Sequence, residues 1–169
     1  MEQSRPNGAN LSALRFREYR TGDWQAMHAL DVLCFAPAFQ FSRRAMRGYA
    51  EAPGAVALLA ETEAPGAQSE LAGFCIAQLE KRVGYVVTLD VGAAWRRRGL
   101  ARRLMAEVES RLRAAGAVAM ELHVFTGNAA AIRLYEALGY ARVGVAGDFY
   151  TRGIDALFYR KIFDTKWSS

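Results

Sequence analysis

Tyr85-Val86-Val87-Thr88-Leu89-Asp90-Val91 is followed, after four residues, by Arg96-Arg97-Arg98-Gly99-Leu100-Ala101. The first run is β-branched and aromatic and is bounded by Gly84 and Gly92, which predicts a buried strand. Beyond the second, Leu100, Leu104, Met105, Val108 and Leu112 recur at helical spacing with charges between them. These residues spell strand, turn, helix, with three arginines and a glycine at the turn. A helix N-terminus presents unpaired backbone N–H groups and a partial positive charge. Gly99 has no Cβ and lets the backbone come close to a ligand. Together they predict a pyrophosphate cradle. The turn lacks the three spaced glycines of a dinucleotide fingerprint and the Gly-Lys-Ser/Thr ending of a P-loop.

The 169 residues suit one domain, and 52% apolar with 23% charged residues suits a globular chain. The expected organisation is a disordered leader over 1–13, one domain over 14–163 and a tail over 164–169. No run of about 18 apolar residues exists, so neither a transmembrane helix nor a membrane partner is expected. The leader is polar and lacks the apolar segment of a signal peptide. Cys34 and Cys75 fall in apolar segments and read as buried thiols of a reducing, cytoplasmic compartment. His28 and His123 are far apart, which gives a metal site no support; His28, inside a helix, reads as structural. The net charge of +5 is concentrated, with Arg96, Arg97, Arg98, Arg102 and Arg103 close together. No aromatics interleave with them, so a polyphosphate explains the cluster better than a nucleic acid.

In chain order, strands are expected at 14–19, 56–61, 71–80, 85–91, 117–125, 140–145 and 155–162. Helices are expected from Trp24 to Leu33 behind a Thr21 or Asp23 cap, from Ser42 to about Ala50, through 100–115, and from Asn128 to Gly139. An aromatic segment, 35–41, breaks the first helix. A loop over 62–69 and the separator 147–153 complete the reading. The order β-α-α-β-β-β-α-β-α-β-β predicts a mixed α/β sheet, with one parallel pair and helices on both faces. Within 117–125 the period of two puts Glu121, His123 and Phe125 on one face. A polar pair inside an apolar strand needs partners or work. His123 suits proton transfer at neutral pH, and a hydrogen-bonded core histidine is the alternative.

Arg96, Gly99 and Ala101 fill the Arg/Gln-x-x-Gly-x-Gly/Ala positions of the GNAT acetyltransferase superfamily, which this chain resembles over roughly 14–163. The resemblance implies the acyl-CoA N-acyltransferase fold, with two central strands, here 85–91 and 117–125, splayed apart around acetyl-CoA. It implies that Arg96, Arg97, Arg98, Gly99, Leu100 and Ala101 hold the pyrophosphate, with Asn128 as a further cofactor contact. Backbone N–H groups near Leu89 and Val91, beside a β-bulge, would hold the oxyanion. The segment Asn128-Ala-Ala-Ala-Ile-Arg-Leu-Tyr135-Glu-Ala-Leu-Gly-Tyr140 resembles the family segment whose tyrosine lies near the cofactor sulfur, so Tyr135 is the candidate thiolate acid.

A narrower resemblance is to the N-terminal (Nα) acetyltransferases. Tyr85, in Tyr85-Val-Val-Thr88-Leu89, and His123, in Leu122-His123-Val124, stand where in one eukaryotic branch of that group a tyrosine and a histidine act through an ordered water on the substrate amine. The ribosomal-protein-alanine acetyltransferases are also similar but carry glutamate at the His123 place, which leaves the base open between His123 and Glu121. Phe149-Tyr150 stands where Tyr-Tyr is common. The acceptor would lie between Phe35, Pro37 and Phe39 on one side and Phe149 and Tyr150 on the other, unless these aromatics simply plug the core. An α-amine with a pKa near 8 is roughly a tenth deprotonated at pH 7, far more than a lysine. A peptide N-terminus is therefore the expected partner. A small amine is the alternative acceptor, and a non-catalytic coenzyme A-binding domain the second alternative. The residues leave the oligomeric state open.

Overall fold

The computed structural model describes residues 10–63 and 68–164. Its elements are β1 (Leu14–Glu18), α1 (Trp24–Cys34), α2 (Arg43–Ala50), β2 (Ala55–Thr62), β3 (Leu71–Glu80), β4 (Val83–Val91), α3 (Leu100–Ala114), β5 (Ala119–Phe125), α4 (Ala129–Ala137), β6 (Ala141–Thr151) and β7 (Ile154–Ile162). The element order is the expected one. The seven strands run β1-β2-β3-β4-β5-β7-β6 across the sheet. Only β4 and β5 are parallel.

The periodic residues of α3 (Leu100, Leu104, Met105, Val108 and Leu112) are all buried, in a cluster with Val86, Met120, Leu122 and Tyr135. On the opposite face, Met27 and Leu30 of α1 and Met46 of α2 pack on Leu59, Phe74 and Ile76. Leu104 is fully buried beneath the sheet. Leu104→Ala is expected to lower stability by about 2–5 kcal/mol, read as a lower urea midpoint at unchanged slope.

β4 and β5 pair only from Val83 opposite Ala119 to Val86 opposite Leu122. Beyond that point they part, as the splay predicts. The parting coincides with a bulge. On β3, Ile76 faces Thr88 but the next residue, Ala77, faces Val86, so Val87 is the extra residue. One extra residue reverses which face later side chains take. Before it, Gly84 and Val86 face the α3 side. After it, Leu89 and Val91 pack on that side. Thr88 and Asp90, hydrogen-bonded to each other, turn toward α1. The bulge thus lies at Val87, ahead of its expected place at Leu89 to Val91.

Two helices start on side-chain caps: Ser42 Oγ accepts from Ala45 N–H, and Asn128 Oδ1 accepts from Ala131 N–H. Asp23 precedes α1 without capping it. Its carboxylate is taken up by the Arg17 guanidinium, at 2.7 and 3.0 Å, and by Arg20 N–H. β6 runs on to Thr151, through most of the expected separator. Asp148 there has φ 53°, its N–H donates to Asp155 Oδ1, and its own carboxylate accepts from Gly153 N–H. This local knot carries Phe149 and Tyr150 over the end of β5. Within the expected leader, Leu11–Ala13 form a 3-10 turn and Leu11 packs on the core, while 1–9 lie outside the described residues. So do 64–67 of the expected loop and 165–169 of the expected tail. Cys34 and Cys75 are free thiols; Cys75 is buried and Cys34 half-buried. No helix among the described residues is long and apolar enough to cross a membrane.

Candidate active site

A cavity of about 780 Å³ opens where β4 and β5 separate. Its floor is residues 85–89 of β4 and 122–125 of β5. Phe35, Phe39 and Phe41, between α1 and α2, form one wall, and Phe149 and Tyr150 of β6 form another. Asn128 and Tyr135 line the α4 side. Tyr85, Leu89, His123, Asn128, Tyr135, Phe35, Phe39, Phe149 and Tyr150 therefore meet here, as expected. None of the lining residues is Asp, Glu, Lys or Arg.

Four expectations fall elsewhere. Pro37 does not line the cavity. It opens the 3-10 turn Pro37–Phe39, where its fixed φ sets the direction of the chain and so of Phe39. Glu121 does not line it either, because its carboxylate is held by the Arg160 guanidinium at 2.8 Å across the β5–β7 ladder. Val91 lies past the floor, its carbonyl accepting from Arg96 Nε at 3.1 Å. Leu100 puts its side chain into the core, so only its backbone could meet a ligand.

The Tyr85 hydroxyl lies 2.8 Å from His123 Nδ1. Burial pushes the Tyr85 phenol up to about 12, so it is protonated and donates this bond. Burial also lowers the His123 pKa, against the opposing field of Glu121, and keeps the imidazole neutral at pH 7. The proton of the neutral ring then sits on Nε2. Phe149 stacks on one face of the ring, with centroids 4.2 Å apart and planes at 13°. Phe158, directly opposite His123 in the ladder, stacks at 4.9 Å. Phe39 meets Phe125 at 4.8 Å and Tyr150 at 4.9 Å, joining the two aromatic walls. Tyr135, 7% exposed, reaches the cavity from α4, and burial raises its phenol far above the ordinary value.

The arginine turn stands beyond the cavity, at the start of α3. Ala93–Trp95 make one 3-10 turn, Arg97 has φ 59°, and Gly99, at φ 83°, is the residue on which α3 begins. Among the described residues no side chain caps this helix, unlike α2 and α4. Arg98 Nε donates to Ala94 O, folding that guanidinium back along the turn.

The description "Acetyltransferase (GNAT) family" matches residues 24–140, well over half of the chain. The chain belongs to the GNAT acetyltransferase family. Among GNAT relatives, it is 31% identical over 106 residues to the N-terminal acetyltransferase A complex catalytic subunit ard1 of Schizosaccharomyces pombe, a match covering 58% of this chain and 60% of that protein. It is 33% identical over 84 residues to the [ribosomal protein bS18]-alanine N-acetyltransferase of Salmonella typhimurium, covering 50% and 57%. The chain thus spans less than two thirds of the length of the curated relatives it matches. The Arabidopsis thaliana NAA60 structure with a bisubstrate analogue superimposes with a TM-score of 0.77 at 21% identity, over 89% of this chain and 99% of that one.

NAA60 has also been solved in complex with acetyl-CoA, the cosubstrate of GNAT acetyltransferases. The GNAT site here fits such a ligand. Among the described residues no side chain caps the amides at Gly99 to Arg102, and a Cβ on Gly99 would meet nothing nearer than 3.9 Å. The strands part beyond Val86 and Leu122, and the cavity opens in that gap.

Three residues of the site were not foreseen. Phe158 is an aromatic in the middle of the last strand, and only the ladder register shows it facing His123. Asp31 and Asp90 are wholly buried beside the floor. Their signal was a carboxylate inside each of two apolar runs.

Proposed function

We propose that this GNAT chain transfers acetyl from acetyl-CoA to a primary amine, and that the acceptor is the α-amine at a peptide or protein N-terminus. The observation that carries the reading is the Tyr85–His123 hydrogen bond at the bottom of an uncharged aromatic cavity, where the two strands split. Bound acetyl-CoA supplies an activated acetyl carbon and a thiolate leaving group.

The protein's part is holding and proton movement. The turn at 96–101 and the amides of α3 hold the anionic tail. The β4 edge beyond Val86 has no partner on its β5 side, which leaves backbone N–H groups for the oxyanion. As the amine attacks, Tyr85 oxygen takes its proton, directly or through a water, while the Tyr85 proton passes to His123 Nδ1. The imidazolium so formed lies between Phe149 and Phe158, whose ring faces favour a cation. Glu121 acts on His123 from outside the cavity, through its field. Tyr135, kept protonated by burial, gives its proton to the departing sulfur.

The absence of a carboxylate among the lining residues disfavours a polycationic acceptor and suits one amine on an apolar chain end. The test is incubation with acetyl-CoA, a peptide panel and small amines, read by mass spectrometry at the first two positions. Peptides are expected to react at the α-amine with kcat/KM at least about tenfold above any small amine, a difference of about 1.4 kcal/mol. Turnover of small amines alone would give the chain the small-molecule reading. Binding of acetyl-CoA without transfer would make it a coenzyme A-binding domain.

A further inference from the structure

Asp31, on α1, and Asp90, on β4, are both fully buried. Asp31 Oδ2 accepts from the Phe41 N–H at 2.8 Å. Asp90 Oδ1 accepts from the Thr88 hydroxyl at 2.5 Å. Each carboxyl has one oxygen left, Asp31 Oδ1 and Asp90 Oδ2, and neither has another partner. Each carboxyl is among the groups that act on the other. The titratable groups around them are His28 and Cys34 on α1, Cys75 on β3 and Tyr135 on α4, with Arg96 against Cys34. No ion pair to either carboxylate is present among the described residues. Two bare carboxylates buried in contact would repel strongly, and one proton between them removes both the repulsion and the two orphan oxygens.

What the pair joins matters. Phe41 ends the segment 35–41, whose Phe35, Phe39 and Phe41 form a wall of the cavity. Inside the segment, Gln40 Nε2 donates to Phe35 O at 2.7 Å, Phe39 N–H to Ala36 O at 2.9 Å and Gln40 N–H to Pro37 O at 3.3 Å. Asp90 sits just past the bulge at Val87, which alone turns it toward α1. We propose that Asp31 and Asp90 share a single proton, and that this clasp fixes the wall 35–41 to the far end of β4, making both positioning residues for the acceptor. The proposal rests on the acetyl-transfer reading only for its kinetic consequence.

The proton belongs to Asp90, whose O–H donates to Asp31 Oδ1, because burial and the neighbouring carboxylate both hold Asp90 in its acid form. A group with a raised folded pKa binds more protons folded than unfolded. Stability therefore falls as the pH rises from about 4, the unfolded value, through the folded value.

The test uses the full chain as wild type, Asp90→Asn, Asp31→Asn and Asp90→Ala. An asparagine at either place can donate its amide to the remaining carboxylate, so the clasp closes without a proton. At neutral pH the wild type is expected to show the infrared C=O band of a protonated carboxyl, and each asparagine variant to lose it. From about pH 5 to about pH 9 the wild-type Tm is expected to fall relative to Asp90→Asn. With the best acceptor, Asp90→Ala is expected to raise acceptor KM about tenfold or more, with a smaller change in the acetyl-CoA KM, while Asp90→Asn stays within about threefold of wild type. Should Asp90→Ala not fold, the asparagine variants still carry the infrared and Tm readings. A wild type without the band, or a band that survives in both asparagine variants, would overturn the clasp, as would an Asp90→Asn as impaired as Asp90→Ala. A protein that shows the band but acetylates nothing would keep the clasp and lose the functional reading.

Discussion

His123→Ala is expected to lower kcat/KM for the best acceptor by about 10²–10⁴-fold, the range lost when a positioned general base is removed. Tyr85→Phe is expected to fall in the same range. The double variant should be little worse than either single one, because the two side chains share one hydrogen bond and, in the proposed mechanism, one proton path. The pH profile supplies the sign. Burial lowers the His123 pKa, so the base is present above a value below 6.5, and the acid limb of log kcat/KM should lie there. That limb should vanish in His123→Ala. Glu121→Gln provides the contrast. Its carboxylate is held by Arg160 outside the cavity, so the loss should be only a few-fold and the acid limb should move to still lower pH, since Glu121 raises the His123 pKa. Initial rates over a pH series for the four variants check all of this. A Glu121→Gln variant as inactive as His123→Ala would move the base to Glu121.

The choice between those two residues shows where sequence reading stops. Alternation correctly puts Glu121 and His123 on one face of β5, but it treats them alike. They part company through the register with β7, where Glu121 is opposite Arg160 and His123 opposite Phe158. Cross-strand register between elements about 30 residues apart leaves no local trace in either strand. What is local was legible. The spacing of Leu100, Leu104, Met105, Val108 and Leu112 predicts both α3 and its buried face. Ser42 and Asn128, each placed just before an apolar period, cap their helices.

The misplaced features all depend on a partner. The bulge at Val87 exists only against Ile76 and Ala77 of β3. Asp23 would cap α1 if Arg17, one strand away, did not claim its carboxylate first. Gly147 and Asp148 look like a turn, yet the Asp155 carboxylate holds the Asp148 amide and β6 continues past them. Each case is a tertiary contact overriding a local preference, and two of them shape the site. The bulge parts the floor strands, and the continued β6 brings Phe149 onto His123.

Gly99→Val is expected to raise the Kd for acetyl-CoA by tenfold or more, at least about 1.4 kcal/mol, while leaving the fold in place. Gly99 has φ 83°, a conformation that costs an L-residue about 1–2 kcal/mol and a β-branched one more. The cost is in the backbone and not in crowding, since among the described residues a Cβ there would touch only Leu11 Cδ1, at 3.9 Å. Leu100 is buried and anchors the first turn of α3 to the sheet. The chain can therefore relieve the strain only by turning the peptides on the solvent side of Gly99. Those peptides carry the uncapped N–H groups proposed above to hold the ligand. Gly99→Ala should show a smaller loss of the same kind. Titration calorimetry of the three proteins with acetyl-CoA and with free coenzyme A reads both constants. The acceptor KM should move less than the Kd, because the turn lies outside the cavity. Wild-type protein giving no heat with either ligand up to about millimolar concentration, a binding free energy weaker than about −4 kcal/mol, would remove the cradle and the acetyl-transfer reading with it.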